Sequence, residues 1–229
     1  MEDISKTLRR TYLFPFRAVI GGIDREVRRL AAQVHGGTLV DIGCGMRPYE
    51  DAFDVERYVG IDLEVSGRPA SMKRPDMYYD GRNLPFEDAS VDHLLCTQAL
   101  QHVLDPLAFF CECRRVLRPG GDLILSVPQS EPATEKPYDL IRLTRDGLVA
   151  MCGEASFDVL SLEPAVGYWQ THAYDVNYLV ARKLIKLGAV GKVALSGFGF
   201  VTQSVAAALD LGTRYSGNTN TWVLMARAR

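Results

Sequence analysis

Apolar and polar positions change period several times along the chain, and each change marks an element. Ile20, Ile23, Val27, Leu30 and Ala31 recur at three- and four-residue spacing, which predicts an amphipathic helix from about Arg17 to Val34. Phe14-Pro15-Phe16 separates that helix from the residues before it. Residues 1–34 therefore read as a helical arm, whose Tyr12, Phe14 and Phe16 either pack or form a lid over a ligand. Thr38 to Ile42 is a short apolar run with an acid near its carboxyl end, the mark of a buried strand. Arg57 to Asp62, Met77 to Tyr79, Val91 to Leu95 and Asp122 to Val127 read as four further strands.

Helical signals lie between them. Asp105-Pro106 starts a helix, because Asp accepts hydrogen bonds from free amides and Pro suits the first helical position. Leu107, Phe110, Cys113 and Leu117 are its expected buried face, Arg114, Arg115 and Arg118 sit at its end, and Pro119-Gly120-Gly121 stops it. Alternation of this kind implies a doubly wound α/β fold, a mostly parallel sheet with helices on both faces. Beyond Pro128 the alternation loosens. A polar loop, Gln129 to Pro137, leads to a short helix capped by Thr144, then a sixth strand, Phe157 to Leu162. Residues 165–216 read as an insertion with helices at about 172–187 and 200–211, and Asn220 to Ala226 as the last strand. With 229 residues, 1–229 fits a single domain.

Composition narrows the class. A net charge of −2 argues against a nucleic-acid scaffold, because phosphate binding needs a basic surplus. No apolar segment is expected to approach the roughly 20 residues of a transmembrane span, and Met1 to Arg10 lacks the apolar core of a signal peptide. Five cysteines scattered over strand and helix positions point to reduced thiols and a cytoplasmic location. Cys111 and Cys113 sit two apart on a helix, which is poor metal geometry, and no metal site is expected.

The candidate chemistry starts at Asp41-Ile42-Gly43-Cys44-Gly45. Two glycines spaced one apart let the backbone turn sharply and approach a ligand, and Asp62 closes the following strand. In doubly wound sheets an acid at that place accepts hydrogen bonds from ribose hydroxyls. The third glycine of a dinucleotide fingerprint is replaced by Pro48, which weakens a pyrophosphate reading.

Downstream stand Asp80-Gly81-Arg82-Asn83-Leu84-Pro85-Phe86, Val91-Asp92, Leu100-Gln101-His102-Val103-Leu104-Asp105-Pro106 and Arg115-Val116-Leu117-Arg118-Pro119-Gly120-Gly121. Together with Asp41, Gly43, Gly45 and Asp62, this ordered set resembles the type 11 branch of the class I S-adenosylmethionine-dependent methyltransferases, over about residues 38–128. Gln101 stands where the branch usually has glutamate, and Arg47 where motif one often has its third glycine. Pro137-Tyr138-Asp139-Leu140-Ile141-Arg142-Leu143-Thr144 resembles a segment of relatives with small-molecule or glycan-type substrates.

The resemblance implies a seven-stranded sheet whose last strand is antiparallel. It implies S-adenosylmethionine as cofactor, S-adenosylhomocysteine as product and a small-molecule acceptor, methylated at a hydroxyl oxygen, with N- or C-methylation as the alternative. Asp41, Gly43 and Gly45 would lie along the methionine part, Asp62 and Leu63 at the ribose, Asp80 and Gly81 at the adenine, with Thr97 and Gln98 at the end of strand four. A hydroxyl acceptor benefits from a base near neutral pKa, which names His102 and His172. Tyr12, Tyr138, Arg142 and Trp169 are the substrate-contact candidates. The 165–216 insertion is read first as an acceptor-pocket wall, then as a homodimer interface, then as a lipid contact. Two other classes compete: a nucleotide-dependent oxidoreductase, and a non-catalytic module that only binds S-adenosylmethionine.

Overall fold

The computed structural model describes residues 16–133, 135–213 and 217–229. Tyr12 and Phe14 lie outside them. Contacts divide the described chain into two compact units. The larger holds Arg25–Gln129, Ala133–Glu163 and Trp222–Arg229; the smaller holds Ser130–Pro132, Pro164–Thr221 and the described part of Met1–Asp24.

The larger unit is built on one seven-stranded sheet with helices on both faces and its last strand antiparallel. Its strands are β1 (Thr38–Ile42), β2 (Arg57–Leu63), β3 (Met77–Tyr79), β4 (Val91–Thr97), β5 (Leu117–Pro128), β6 (Phe157–Pro164) and β7 (Thr221–Ala228), in the spatial order β3-β2-β1-β4-β5-β7-β6. β1 runs parallel to β2, with Asp41 opposite Gly60, and parallel to β4, with Asp41 opposite Leu95. The order reverses at β1 and β4, so the crevice outside their carboxyl ends is the place where such sheets bind ligands. Helix α1 (Arg17–Ala31) precedes the sheet, and α2 (Pro106–Val116) and α3 (Arg145–Glu154) connect its strands. One apolar core joins Val40, Ile42, Ile61, Leu94, Phe110, Leu123, Leu148 and Trp222.

Both predicted caps are present: Asp105 accepts from the Ala108 amide at 3.0 Å and Thr144 from the Gly147 amide at 3.2 Å. α2 ends at Val116, however, and Leu117 already pairs with Val91 as strand. Pro119 explains this, since it disfavours helical backbone at Arg118 and lets extended chain begin early. The buried face of α2 is Phe109, Phe110, Cys113 and Val116, and Leu107 is exposed. Ile20 of α1 is likewise exposed, with Val19 buried instead. All five cysteines are free, four of them buried.

The smaller unit is dominated by two helices, α4 (Tyr168–Leu184) and α5 (Gly188–Gly212), joined by a tight turn, Ile185–Leu187. α5 starts well before the expected residue 200, and Gly191, within that earlier part, serves close packing rather than helix breaking. A Cβ on Gly191 would lie 1.7 Å from the Leu184 carbonyl oxygen, so only glycine lets the two helices meet there. Contrary to expectation, Tyr168–Gly212 does contain a helical window long and apolar enough to cross a membrane by length and composition, with mean hydropathy 1.5 and only 17% of it buried.

Candidate functional site

Where β1 ends, the chain must reverse within a few residues. Gly43 and Gly45 do this with φ of 71° and 51°, in the left-handed region that favours glycine. A Cβ on Gly43 would come 2.6 Å from the Ala99 Cβ, so the turn also needs glycine to pass the chain leaving β4. The amides of Gly43 and Cys44 both donate to the Ile61 carbonyl, at 2.9 and 3.1 Å, which ties the turn to β2. Arg47 adopts the same left-handed backbone, with φ of 56°. Its guanidinium pairs with Asp76 and, at 3.3 Å, with Glu50, while Nε donates to the Arg74 carbonyl at 2.8 Å. Gly60 makes room for it, since a Cβ there would sit 2.8 Å from the Arg47 Nε.

The two acids near this turn differ in how far they are satisfied. Asp62 Oδ2 accepts from the Gly45 amide at 3.0 Å and Oδ1 from the Leu63 amide at 2.7 Å, leaving a lone pair on each oxygen. The buried Lys73 places Nζ 3.8 Å from Oδ1 and donates to the Leu63 carbonyl at 2.6 Å. Asp41 is fully buried and receives one hydrogen bond, from the Tyr58 hydroxyl at 2.6 Å to Oδ2; its Oδ1 has no partner among the described residues. Burial pushes the Asp41 pKa up to about 7, against the lowering effect of the Tyr58 hydroxyl.

Asp80 is exposed and capped by its own turn, accepting from the amides of Arg82 and Asn83, both at 2.7 Å. Those amides hold its pKa below the ordinary carboxylate range. Gly81, with φ of 81°, lies against Leu63, whose Cδ2 would be 3.0 Å from a Cβ there. The structure thus joins the ends of β2 and β3. Thr97 closes β4 half-buried, and Gln98 follows with φ of 52°, a strained value for a non-glycine residue. The Gln98 side chain turns toward β5, donating to the Ser126 hydroxyl at 3.2 Å.

His102 follows, at the end of a short turn, Leu100–His102. Its Nδ1 lies 2.8 Å from the Tyr138 carbonyl and its Nε2 3.5 Å from the Glu135 carboxylate. Glu135 also receives Arg68 Nε at 2.7 Å, so the loop after β2 and the turn after β4 meet on one carboxylate. The Gln101 carbonyl accepts from the amides of Leu140 and Ile141, which fixes the 135–142 segment beside this turn. Tyr138 is exposed, and Arg142 is held by Asp139, with Nη2 at 2.8 Å from Oδ2. Tyr58, Lys73, Arg68 and Glu135 are site neighbours that the sequence pattern did not mark, because loop charges carry no period.

His172 and Trp169 belong to α4, in the smaller unit. The His172 ring stacks edge-on with Tyr168 at 4.3 Å, and its Nε2 is buried without a partner among the described residues. Trp169 donates from Nε1 to Thr213 Oγ1 at 3.0 Å, and its amide donates to Asp210 at 2.9 Å.

Comparison with known proteins gives the same reading as the geometry. The family described as Methyltransferase domain, type 11, matches residues 40–125. The chain is 36% identical over 144 residues to a probable S-adenosylmethionine-dependent methyltransferase of Mycolicibacterium smegmatis, covering 58% of this chain and 56% of that protein. It is 21% identical to the O-methyltransferase cnsE of Penicillium expansum, covering 73% of this chain and 71% of that one. Among solved structures, an S-adenosylmethionine dependent methyltransferase from Mesorhizobium loti superposes with a TM-score of 0.56 at 17% identity, covering 91% of this chain and 99% of that one, which bears on the fold alone. The chain spans little more than half the length of the mycobacterial relative. A glycine turn bonded to an acid at the end of β2 thus stands in a sheet ordered this way, within a stretch, residues 40–125, that matches the methyltransferase domain.

Proposed function

We propose that the chain transfers a methyl group from S-adenosylmethionine to the hydroxyl oxygen of a small molecule. The observation that carries this reading is the open Oδ1 of Asp41, a buried acceptor beside a glycine turn that is already bonded to Asp62. A carboxylate there calls for a donor, and the ammonium of the methionine part fits in chemistry and charge. Asp62 would take the ribose hydroxyls on its two remaining lone pairs, with Leu63 beside it and Asp80 and Gly81 toward the adenine. Gly43 and Gly45 would border the methionine part, and Thr97 and Gln98 would close the site from β4.

Bound S-adenosylmethionine supplies a sulfonium methyl that is already electrophilic, so the protein's task is alignment, water exclusion and proton removal. His102 Nε2 is the group proposed to take the hydroxyl proton. With Nδ1 donating to the Tyr138 carbonyl, the lone pair would sit on Nε2, the nitrogen that faces Glu135. Glu135 Oε2, 3.5 Å away, would have to move off Nε2 for an acceptor hydroxyl to reach it, while Oε1 is held by Arg68. Tyr138, whose carbonyl holds the His102 ring, and Arg142 are the residues of the same unit proposed for acceptor contact. The five unpaired thiols support a reducing, cytoplasmic setting.

The test has two arms. Calorimetry of the full chain with S-adenosylmethionine and with NAD should show binding of the first alone. A panel of alcohol, phenol, amine and carbon-acid acceptors, followed by homocysteine-coupled turnover, should then give activity on a hydroxyl that His102→Ala removes. Turnover confined to amines would refute the oxygen assignment, and cofactor binding with no acceptor turned over would favour a binding module.

A further inference from the structure

α5 is predominantly apolar, with Lys192 and Asp210 its only charged residues. Gly191, Leu195, Gly199 and Ala206 form its buried stripe, and Thr202 Oγ1 bonds Asn177 of α4 at 2.8 Å on the same side. The opposite stripe runs through Val190, Val193, Gly197, Val201, Val205 and Ala208 at three- and four-residue spacing and is exposed along its length. Val190 is 76% exposed, Val193 74% and Val201 59%, and Ser204 is the only hydrogen-bonding side chain on that stripe. An apolar helix stripe of this length is ordinarily buried, whereas this one is exposed.

Charge is segregated to one end. Arg182, Lys183, Lys186 and Lys192 cluster around the turn between α4 and α5, and all four are exposed. No Asp or Glu occurs between Asp175 and Asp210, and none of the four cations pairs with a carboxylate among the described residues. At the far end Asp210 is committed, accepting from the amides of Trp169 and Gln170 at 2.9 and 3.1 Å. A second copy of this helix pair would therefore bring to four cations only one further carboxylate, Asp175, which is half-buried and sits two turns back on α4 beside His172. A bilayer with anionic headgroups satisfies both features at once, offering apolar depth to the stripe and negative charge to the turn.

We propose that α5 lies in the plane of an anionic lipid surface, its exposed stripe set into the acyl boundary and the α4–α5 turn held on the headgroups. The lipid contact that the sequence ranks last for want of basic residues thus gains them from α4, which folds its own end against the start of α5. The inference is independent of the methyl-transfer reading, because it needs no cofactor and no acceptor.

Sedimentation of the full chain with vesicles tests it, comparing phosphatidylcholine alone with mixtures containing phosphatidylglycerol. Each cation near such a surface contributes roughly fivefold to partitioning, so the mixed vesicles should bind at least tenfold more protein, with the advantage falling as salt rises. Lys183→Glu with Lys186→Glu should bring binding down to the phosphatidylcholine level. Val201→Asp should lower binding to both vesicles by about tenfold or more, with an unchanged thermal melt because the site is exposed; if that variant melts early, Val193→Gln takes its place. Equal partitioning into both vesicles would overturn the proposal. So would absence of binding, including the case in which sedimentation velocity shows a dimer that Val201→Asp dissociates.

Discussion

The glycine turn after β1 and the helix pair α4–α5 both depend on glycine, and to opposite ends. At Gly43 and Gly45 the missing Cβ lets polar backbone turn inward, so that amides and carboxylates converge on one crevice. At Gly191 it lets two helices touch, which spends the helices' packing on each other and leaves their large apolar side chains outside. One region concentrates unsatisfied polarity and the other unsatisfied apolar surface. Each leaves unmet the kind of interaction that a partner can supply, a small cationic ligand in the first case and an extended surface in the second.

Substitutions can separate the two regions. The largest expected effect is on turnover: His102→Ala should cut it about a hundredfold with cofactor affinity unchanged, and normal turnover would make His102 a structural residue. Next comes Asp62→Ala, which should weaken S-adenosylmethionine binding roughly tenfold to a hundredfold by calorimetry, since a hydrogen bond to a charged group contributes about 1.5–3 kcal/mol. Vesicle binding by that variant should be untouched, and a joint loss would mean that the two regions are not independent.

Gly191→Ala is the mirror experiment. Its new Cβ collides with the Leu184 carbonyl, so stability should drop by about 1–3 kcal/mol in a thermal melt while the cofactor still binds the native chain. The smallest effect is the pH dependence of cofactor affinity. Asp41 is pushed from its ordinary 3.8 up to about 7, and only its ionised form attracts an ammonium. Affinity should thus rise about tenfold from pH 6 to pH 8 and level off above, and Asp41→Asn should abolish the slope. The same shift means that the folded chain holds more protons than the unfolded one, so the stability of the cofactor-free protein should fall as pH rises from about 4 to about 7.

Much of the sheet was legible because its signals are local and periodic. Asp105-Pro106 and Thr144 announced their helices, and the β-branched runs announced their strands. The boundary at Val116 was misplaced because the helical spacing of Leu117 competes with the effect of Pro119 on Arg118, and only pairing with Val91 decides between them. At the site, Asp41, Asp62 and the glycines stood out by spacing. Tyr58, Glu135 and Arg68 did not, because their importance comes from meeting residues far away in sequence, and no period records such meetings. The outward face of α5 was hidden for a similar reason. Its hydropathy reads the same whether the helix is buried or exposed, and glycines at 188, 191, 197 and 199 resemble a loop until a second helix is placed against them.

Arg47 has a consequence for the unfolded chain. A glycine at that place would adopt the left-handed backbone freely but would carry a larger conformational entropy into the unfolded ensemble, a handicap of roughly 0.5–1 kcal/mol. Arginine escapes that handicap and accepts instead about 1–2 kcal/mol of steric cost. The steric cost is about twice the entropic gain, so what favours arginine here is the side chain itself, which reaches Asp76, Glu50 and the Arg74 carbonyl. A glycine version of the loop would be shaped by its ligand, whereas this one is held in shape by its own ion pairs. The association rate with cofactor should then be governed by diffusion into a ready-made cleft rather than by ordering of the loop.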